Sequence, residues 1–186
     1  MPGAQLPTEA ALCLSFQTGR HSVRRAVAVL AAEGKLRVEQ GRGTFVQAAP
    51  LINYHIGRRT RFRQNLLEQG VAPAGEQISD SLIPAPEWLA TVLGIAQGDS
   101  VHRLLRRGLA DGVPISIGMS YHSAALFPDL AVRRGAGDSI TDVYRAYGIP
   151  DYFRKRTVVF TRRPDPEEAR LLMQHPDQPV MVVQKT

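Results

Sequence analysis

Cysteine is nearly absent. Cys13 stands alone in 186 residues, so no disulfide can form within the chain and no cysteine-based zinc site can be built. A single packed thiol is the simple reading. Lysine is scarce too: only three of the 23 basic side chains are lysine and the rest are arginine. No stretch approaches the ~18 apolar residues of a membrane span, and no basic region followed by an apolar one opens the chain. A cytoplasmic protein with no membrane contact is expected. His55, His102, His122 and His175 are widely scattered. No metal-ligand spacing occurs, and no serine or cysteine stands in a recognisable nucleophile setting. The expectation is therefore no metal, no cofactor, no catalytic residue and no enzyme.

What is present is positive charge. The formal charge is +6 with a pI near 10.0, and the dominance of arginine favours planar, multi-donor contacts with phosphate or carboxylate. Nucleic acid or a small anionic ligand follows as the partner class. The apolar fraction of 44% is ordinary for a globular protein, and the length allows one good core or two small ones.

Thr8 and Glu9 form a cap and an acidic first turn for a short helix in which Leu12 and Phe16 lie one turn apart. After Gln17-Thr18-Gly19, the spacing of Val23, Ala26, Val27 and Leu30 predicts a second helix from about Arg20 to Glu33, stopped by Gly34. Two short strands around Gly41-Arg42-Gly43 complete a basic module. About 46 residues bury little surface. We expect that a preceding helix is missing from this module or that a neighbouring surface takes its place.

Ala-Ala-Pro and mixed polarity mark a linker over 48–57. Beyond it the pattern predicts a short helix ending at Gly70 and a helix from Pro86 to Gly94. Strands over 100–109 and 113–121 follow, joined by Ala110-Asp111-Gly112. Ser139 heads a capping box for a helix closed by Gly148. A long strand runs from Tyr152 to Thr161, Asp165 starts a helix through Met173, and a last strand begins at Pro179. Mixed helices and antiparallel strands make the chain α+β. The abrupt end of the last strand predicts further strands beyond it.

Arg20, His21 and Arg24 lie in the first turns of the second helix, with Val23 and Val27 turned to the core. A basic helix so presented fits the major groove. Arg20 or Arg24 can fork onto a guanine edge, and His21 can meet a base or a phosphate. Ser22 and Arg25 turn to the flank, toward the DNA backbone. Thr8 and Glu9 open a helix whose first amides can meet a phosphate, and Arg42 can follow the minor groove.

These residues carry a resemblance. Leu6-Pro7-Thr8-Glu9, Gly19 to Ala26, Glu33-Gly34-Lys35-Leu36 and Gln40 to Val46 resemble the winged helix-turn-helix of GntR-type transcriptional regulators. The resemblance implies that the second helix reads an operator, that the wing around Arg42 and Gly43 touches the minor groove, and that the protein is a homodimer. Ala10 and the stretch Cys13 to Thr18 depart from the family pattern. The remainder resembles the UTRA effector domain of the HutC branch, whose fold is similar to chorismate lyase. The carrying residues are Arg61-Phe62-Arg63-Gln64-Asn65-Leu66, Gln69-Gly70, Arg106 before Ala110 to Pro114, Ser139, Tyr147-Gly148 and Glu168-Ala169. Arg59 to Phe62 with Asp151 to Arg154 is most similar to regulators of phosphonate utilisation. The implied division is a DNA-binding domain over 1–47 lacking its first helix, a linker over 48–57, and an effector domain over 58–186 lacking its last strands.

The implied effector is a small anion such as a phosphonate or phosphate ester, which needs an arginine fork beside hydroxyl or backbone donors. Ser139 offers a hydroxyl and a helix start, although capping alone also explains it. Of Arg106 and Arg107 only one can face inward, and the resemblance favours Arg106. Arg61 follows from the resemblance, Arg154 and Arg156 share one strand face, and Tyr121 adds a donor. Relatives that bind sugar phosphates carry a carboxylate near Gly118, so its absence favours a smaller anion. Two rival readings remain open at this level: a lyase that works through binding groups, and a DNA-binding protein with no small-molecule response.

Overall fold

Thr8 holds the start of the first helix. In a computed structural model describing residues 3–46, 52–59 and 61–186, its Oγ1 accepts the Ala11 amide at 3.3 Å and α1 runs over Glu9–Ser15. Residues 47–51, where the linker was expected to begin, and Thr60 lie outside the described residues. Gln17 turns the chain at φ 48°, and α2 follows over Arg20–Ala32 from an extended Gly19. The chain leaves α2 through Gly34 at φ 72°, where a Cβ would stand 2.2 Å from the Gln178 side-chain amide. Strands β1 (Leu36–Glu39) and β2 (Gly43–Val46) pair antiparallel from Leu36↔Val46 to Glu39↔Gly43.

A third run joins this hairpin. The Gly3 amide donates to the Val46 carbonyl at 2.8 Å, Val46 donates to Ala4 at 2.8 Å, and Leu6 donates to Thr44 at 2.7 Å. The edge carbonyls of Thr44 and Val46 and the Val46 amide, which would otherwise need water, are thereby satisfied. Val23, Ala31 and Leu36 are buried here, whereas Leu14 and Phe16 remain 81% and 71% exposed. That thin core agrees with the small burial expected of so short a module.

The described residues fall into two compact units, 3–46 with Val159–Val182 and 52–158 with Val183–Thr186. Within the first unit, Arg37 lies against Met173 with its Nη1 3.7 Å from Sδ. That returning segment carries part of β6 (Thr157–Arg162), α7 (Pro166–Leu172) and part of β7 (Val180–Lys185). Asp165 and Glu168 close a reciprocal capping box on α7, and Arg162 pairs with Glu168. β6 pairs with β7. The mutual bonds between Arg156 and Thr186 beside them, both 3.1 Å, are the antiparallel pattern.

The second unit is organised by three antiparallel strands in the order β3 (Pro73–Pro84), β4 (Ser100–Ala110), β5 (Val113–Ser123). Asp111 and Gly112, at φ 49° and 78°, turn β4 into β5 as a two-residue hairpin requires. Alternation along β4 divides the core. Val101 packs under α4 (Glu87–Leu93) with Ala85, Leu89 and Ala90. Leu104 packs on the other face with Phe127, with Leu130 of α5 (Leu130–Gly135) and with Val143 of α6 (Ile140–Ala146). Near the start of the unit, α3 (Phe62–Leu67) buries Leu66 completely, a contribution of about 1.5–3 kcal/mol. β3 and α5 were not anticipated. The strand expected from Tyr152 begins only at Thr157.

Candidate nucleic-acid interface and anion cleft

The N-terminal half of α2 presents Arg20, His21, Ser22, Arg24 and Arg25 to solvent, while Val23 between them is 6% exposed. One buried residue in the first turn thus fixes the rotation of the basic face. Arg24 is further held from α1: its Nε donates to both carboxylate oxygens of Glu9, at 3.1 and 3.0 Å. Sequence reasoning placed Glu9 among phosphate contacts. In the structure its carboxylate faces Arg24 and accepts from the Nε of that guanidinium. Fifteen residues separate the pair, so no helical spacing announces it. Thr8 is occupied as the α1 cap.

Arg42 stands at the hairpin tip, 76% exposed, with Nη1 2.8 Å from Glu39. Glu39 also holds Arg37 at 2.7 Å. Gly41 and Gly43 flank the tip at φ 77° and 120°, and a Cβ on Gly43 would meet the Gln5 amide at 2.5 Å. That amide donates to the Arg42 carbonyl at 2.9 Å, so the run before α1 braces the tip.

In the second unit, Arg106 and Arg134 lie together, the side chain of the first on the backbone of the second. Arg106 on β4 donates from Nη1 to the Arg134 carbonyl at 2.8 Å and to Gln77 Oε1 at 3.3 Å. Arg134 on α5 donates to the Asp138 carbonyl. Burial and then the charge of Arg106 push the Arg134 guanidinium down to about 10, and burial lowers Arg106. Beside them His122 is pushed down to about 4, by burial, then Arg134, then His102. Its Nδ1 meets the Tyr144 hydroxyl at 3.1 Å. Tyr144 is pushed up to about 12, chiefly by burial, and its ring packs edge-on against Tyr152 at 4.9 Å. Arg61 lies 3.7 Å above the Tyr152 ring and binds Asp151 at 3.0 Å. Its Nη1 is buried with no hydrogen-bond partner among the described residues. Two partly buried arginines of like charge, with one buried donor of Arg61 left unsatisfied, are a group whose charge an anion would offset.

Ser139 borders this group as the α6 cap. Its Oγ accepts the Asp142 amide at 3.1 Å and donates to the Asp142 carboxylate, so capping occupies the hydroxyl. Three expected members stand elsewhere. Tyr121 pairs with Arg103 while Arg106 pairs with Gly118, which puts Tyr121 on the opposite sheet face, edge-on to Trp88 at 5.8 Å. Arg154 and Arg156 precede β6 and line a different cavity. Arg134, His122, Tyr144 and Tyr152 were missed. Arg107 turns away to Glu76, so of the adjacent arginines it is Arg106 that reaches Arg134.

The neutrality of His122 has a measurable consequence. Its imidazole protonates near 6.5 when unfolded and only near about 4 when folded, so between those values the unfolded chain binds the extra proton. Stability contributed by neutral His122 is fully present above pH 6.5 and falls as pH drops toward 4, by an amount on the order of 3 kcal/mol. Thermal midpoints across that window should fall more steeply for the native chain than for a His122→Gln variant; identical slopes would refute the assignment.

Residues 1–46 match the model of bacterial regulatory proteins of the gntR family, and 68–186 match that of the UTRA domain. The chain belongs to the GntR family. It is a GntR regulator with a UTRA effector domain, related to the PhnF proteins of the HutC branch. An uncharacterized HTH-type transcriptional regulator of Rhizobium meliloti (strain 1021) is 37% identical over 179 residues, 96% of this chain and 73% of that protein. The probable transcriptional regulator PhnF of Escherichia coli (strain K12) is 32% identical over 171 residues, 91% of this chain and 70% of that one. The crystal structure of PhnF from Mycobacterium smegmatis superposes with a TM-score of 0.65 at 27% identity, covering 100% of this chain and 80% of that one. The GntR chain is thus a DNA-binding regulator of a kind modulated by a small molecule, and it is not an enzyme. Among the described residues no helix is long and apolar enough to cross a membrane, and no group of three metal-ligating side chains occurs.

Proposed function

We propose that this GntR regulator is a repressor whose operator affinity is lowered by a small phosphonate or phosphate ester bound in the Arg106–Arg134 cleft. The observation that carries the reading is the seating of the Arg106 guanidinium on the Arg134 backbone, with Arg134 pushed down to about 10 by burial and then by the charge of Arg106. A dianion relieves that repulsion, whereas a neutral sugar does not. The buried Nη1 of Arg61 supplies a further donor, and the likeness to PhnF proteins supports the ligand class. Ser139 contributes through the start of α6 rather than through its occupied hydroxyl. Arg20, His21 and Arg24 read base edges. Ser22, Arg25 and the α1 start at Thr8 meet the backbone, and Arg42 and Gly43 follow the minor groove.

Residues 1–47 act as a winged helix-turn-helix, 48–57 as the linker and 58–186 as the effector domain, whose sheet with helices on both faces is of the chorismate-lyase kind. Two copies pair and set their α2 helices in successive major grooves, roughly 34 Å apart, on an inverted repeat. The protein works in the cytoplasm, where its operator is. Ligand must favour one arrangement of the pair, and about 1–3 kcal/mol of coupling alters operator affinity several-fold to ~150-fold. The deciding experiment selects bound fragments from genomic DNA with purified protein and then adds methylphosphonate or simple phosphate esters. Release at saturable concentration is expected. Selective binding that no such anion releases would leave a regulator without this effector class.

A further inference from the structure

A second basic concavity lies in the UTRA-containing unit. It is an open concavity of about 320 Å³ lined by Ile56, Gly57, Arg58, Arg154, Lys155, Arg156 and Thr157. Neither Arg106 nor Arg134 is among them, and no carboxylate side chain is. The nearest acid in sequence, Asp151, is engaged by Arg59 at 2.8 Å and by Arg61 at 3.0 Å. Its wall is built. Arg154 donates from its backbone to the Arg58 carbonyl at 2.9 Å and from Nη1 to the Gly57 carbonyl at 2.9 Å. The Lys155 and Arg156 amides donate to the Thr186 carbonyl at 2.7 and 3.1 Å. Backbone bonds therefore hold the run still while the Lys155 and Arg156 side chains remain exposed. Arg58 stacks 4.6 Å above Phe153, whose ring is 58% exposed.

We propose that this concavity is a second anion site, taking an oligophosphate. Four cationic side chains around one small volume, with no acid in the lining, suit a ligand bearing several negative charges in a row better than a single phosphonate. Phe153 beside the site gives a flat surface on which the base of a nucleoside triphosphate can stack, against an arginine already seated on the ring. The shared chemistry is the phosphate chain, and inorganic and nucleotide sources differ only in the use of Phe153. A concave wall fits a compact anion, whereas duplex DNA is itself convex.

The test is calorimetric titration of the whole chain with inorganic tripolyphosphate and with ATP, at physiological ionic strength so that diffuse attraction is screened. Saturable binding is expected for the native chain and for Arg106→Ala alike. A Lys155→Ala/Arg156→Ala variant, whose changes are exposed and leave the backbone bonds in place, should bind on the order of tenfold or more weakly. It should keep its methylphosphonate response. If ATP binds more tightly than tripolyphosphate, Phe153→Ala should remove only that excess. The proposal is overturned if tripolyphosphate shows no saturable binding. It is equally overturned if Arg106→Ala abolishes that binding while the double variant does not, or if the double variant weakens only DNA affinity. Loss of the methylphosphonate response alone would instead count against the effector reading.

Discussion

Replacing Arg106 by alanine is expected to abolish release from DNA by a phosphonate while leaving operator affinity within a few-fold of the native value. The residue sits mid-strand on β4, held by Gln77 and by the Arg134 carbonyl, and it is one of the two arginines of the proposed effector site. A hydrogen bond to a charged group contributes about 1.5–3 kcal/mol, so ligand affinity should drop roughly tenfold to over a hundredfold in calorimetry. The α2 face and the hairpin tip belong to the other compact unit, and operator affinity measured by fluorescence anisotropy should not follow. Arg106→Lys keeps the charge without the fork and should fall between. Arg107→Ala is the matched control, because Arg107 is one position along and points to Glu76. Equal losses at 106 and 107, or an undiminished response at 106, would remove Arg106 from the site.

What could be read in the sequence was whatever a local rule decides. Ser139 with Asp142 and Asp165 with Glu168 announced α6 and α7 because a capping box is complete within four residues. Asp111-Gly112 announced the β4–β5 turn because few residues take positive φ. β3 obeys no such rule. Pro-Ala-Gly-Glu-Gln-Ile-Ser-Asp-Ser-Leu-Ile-Pro does not alternate, and most of its side chains are exposed. Its extension comes from pairing with β4, across a register shift between Gln77 and Ser79. α5 is six residues long and Asp129 makes no side-chain cap, so Arg134, half of the cleft, was hidden with it. Tyr121 was misplaced for a different reason. Its partner Arg103 is three positions from Arg106, and an odd offset along a strand reverses the face. The strand drawn from Tyr152 was too long because tertiary contacts hold those residues. Tyr152 lies between Arg61 and Tyr144, and the Arg154 amide turns to Arg58.

The same contrast between local and long-range order bears on DNA reading. Arg24→Ala should weaken a selected operator by roughly 1–3 kcal/mol, about five- to 150-fold, and should reduce discrimination against single-base variants. Arg25→Ala should lower affinity evenly across sequences and flatten the salt dependence by about the 0.9 expected of one phosphate contact. Glu9 separates these roles further. Its carboxylate receives the Arg24 Nε at 3.0 and 3.1 Å, on a surface where the pair itself stabilises the fold little, since exposed ion pairs contribute about 0–1 kcal/mol. Its effect is therefore orientation. Glu9→Gln removes a negative charge from the DNA-facing side, which should strengthen binding to unrelated duplex, and it loosens Arg24, which should weaken binding to the operator. The two shifts act in opposite directions on the two affinities, so their ratio should shrink more than either affinity alone. A charge effect without positioning would raise both together and leave the ratio unchanged, and that outcome in competition anisotropy at two salt concentrations would break the link between Glu9 and Arg24.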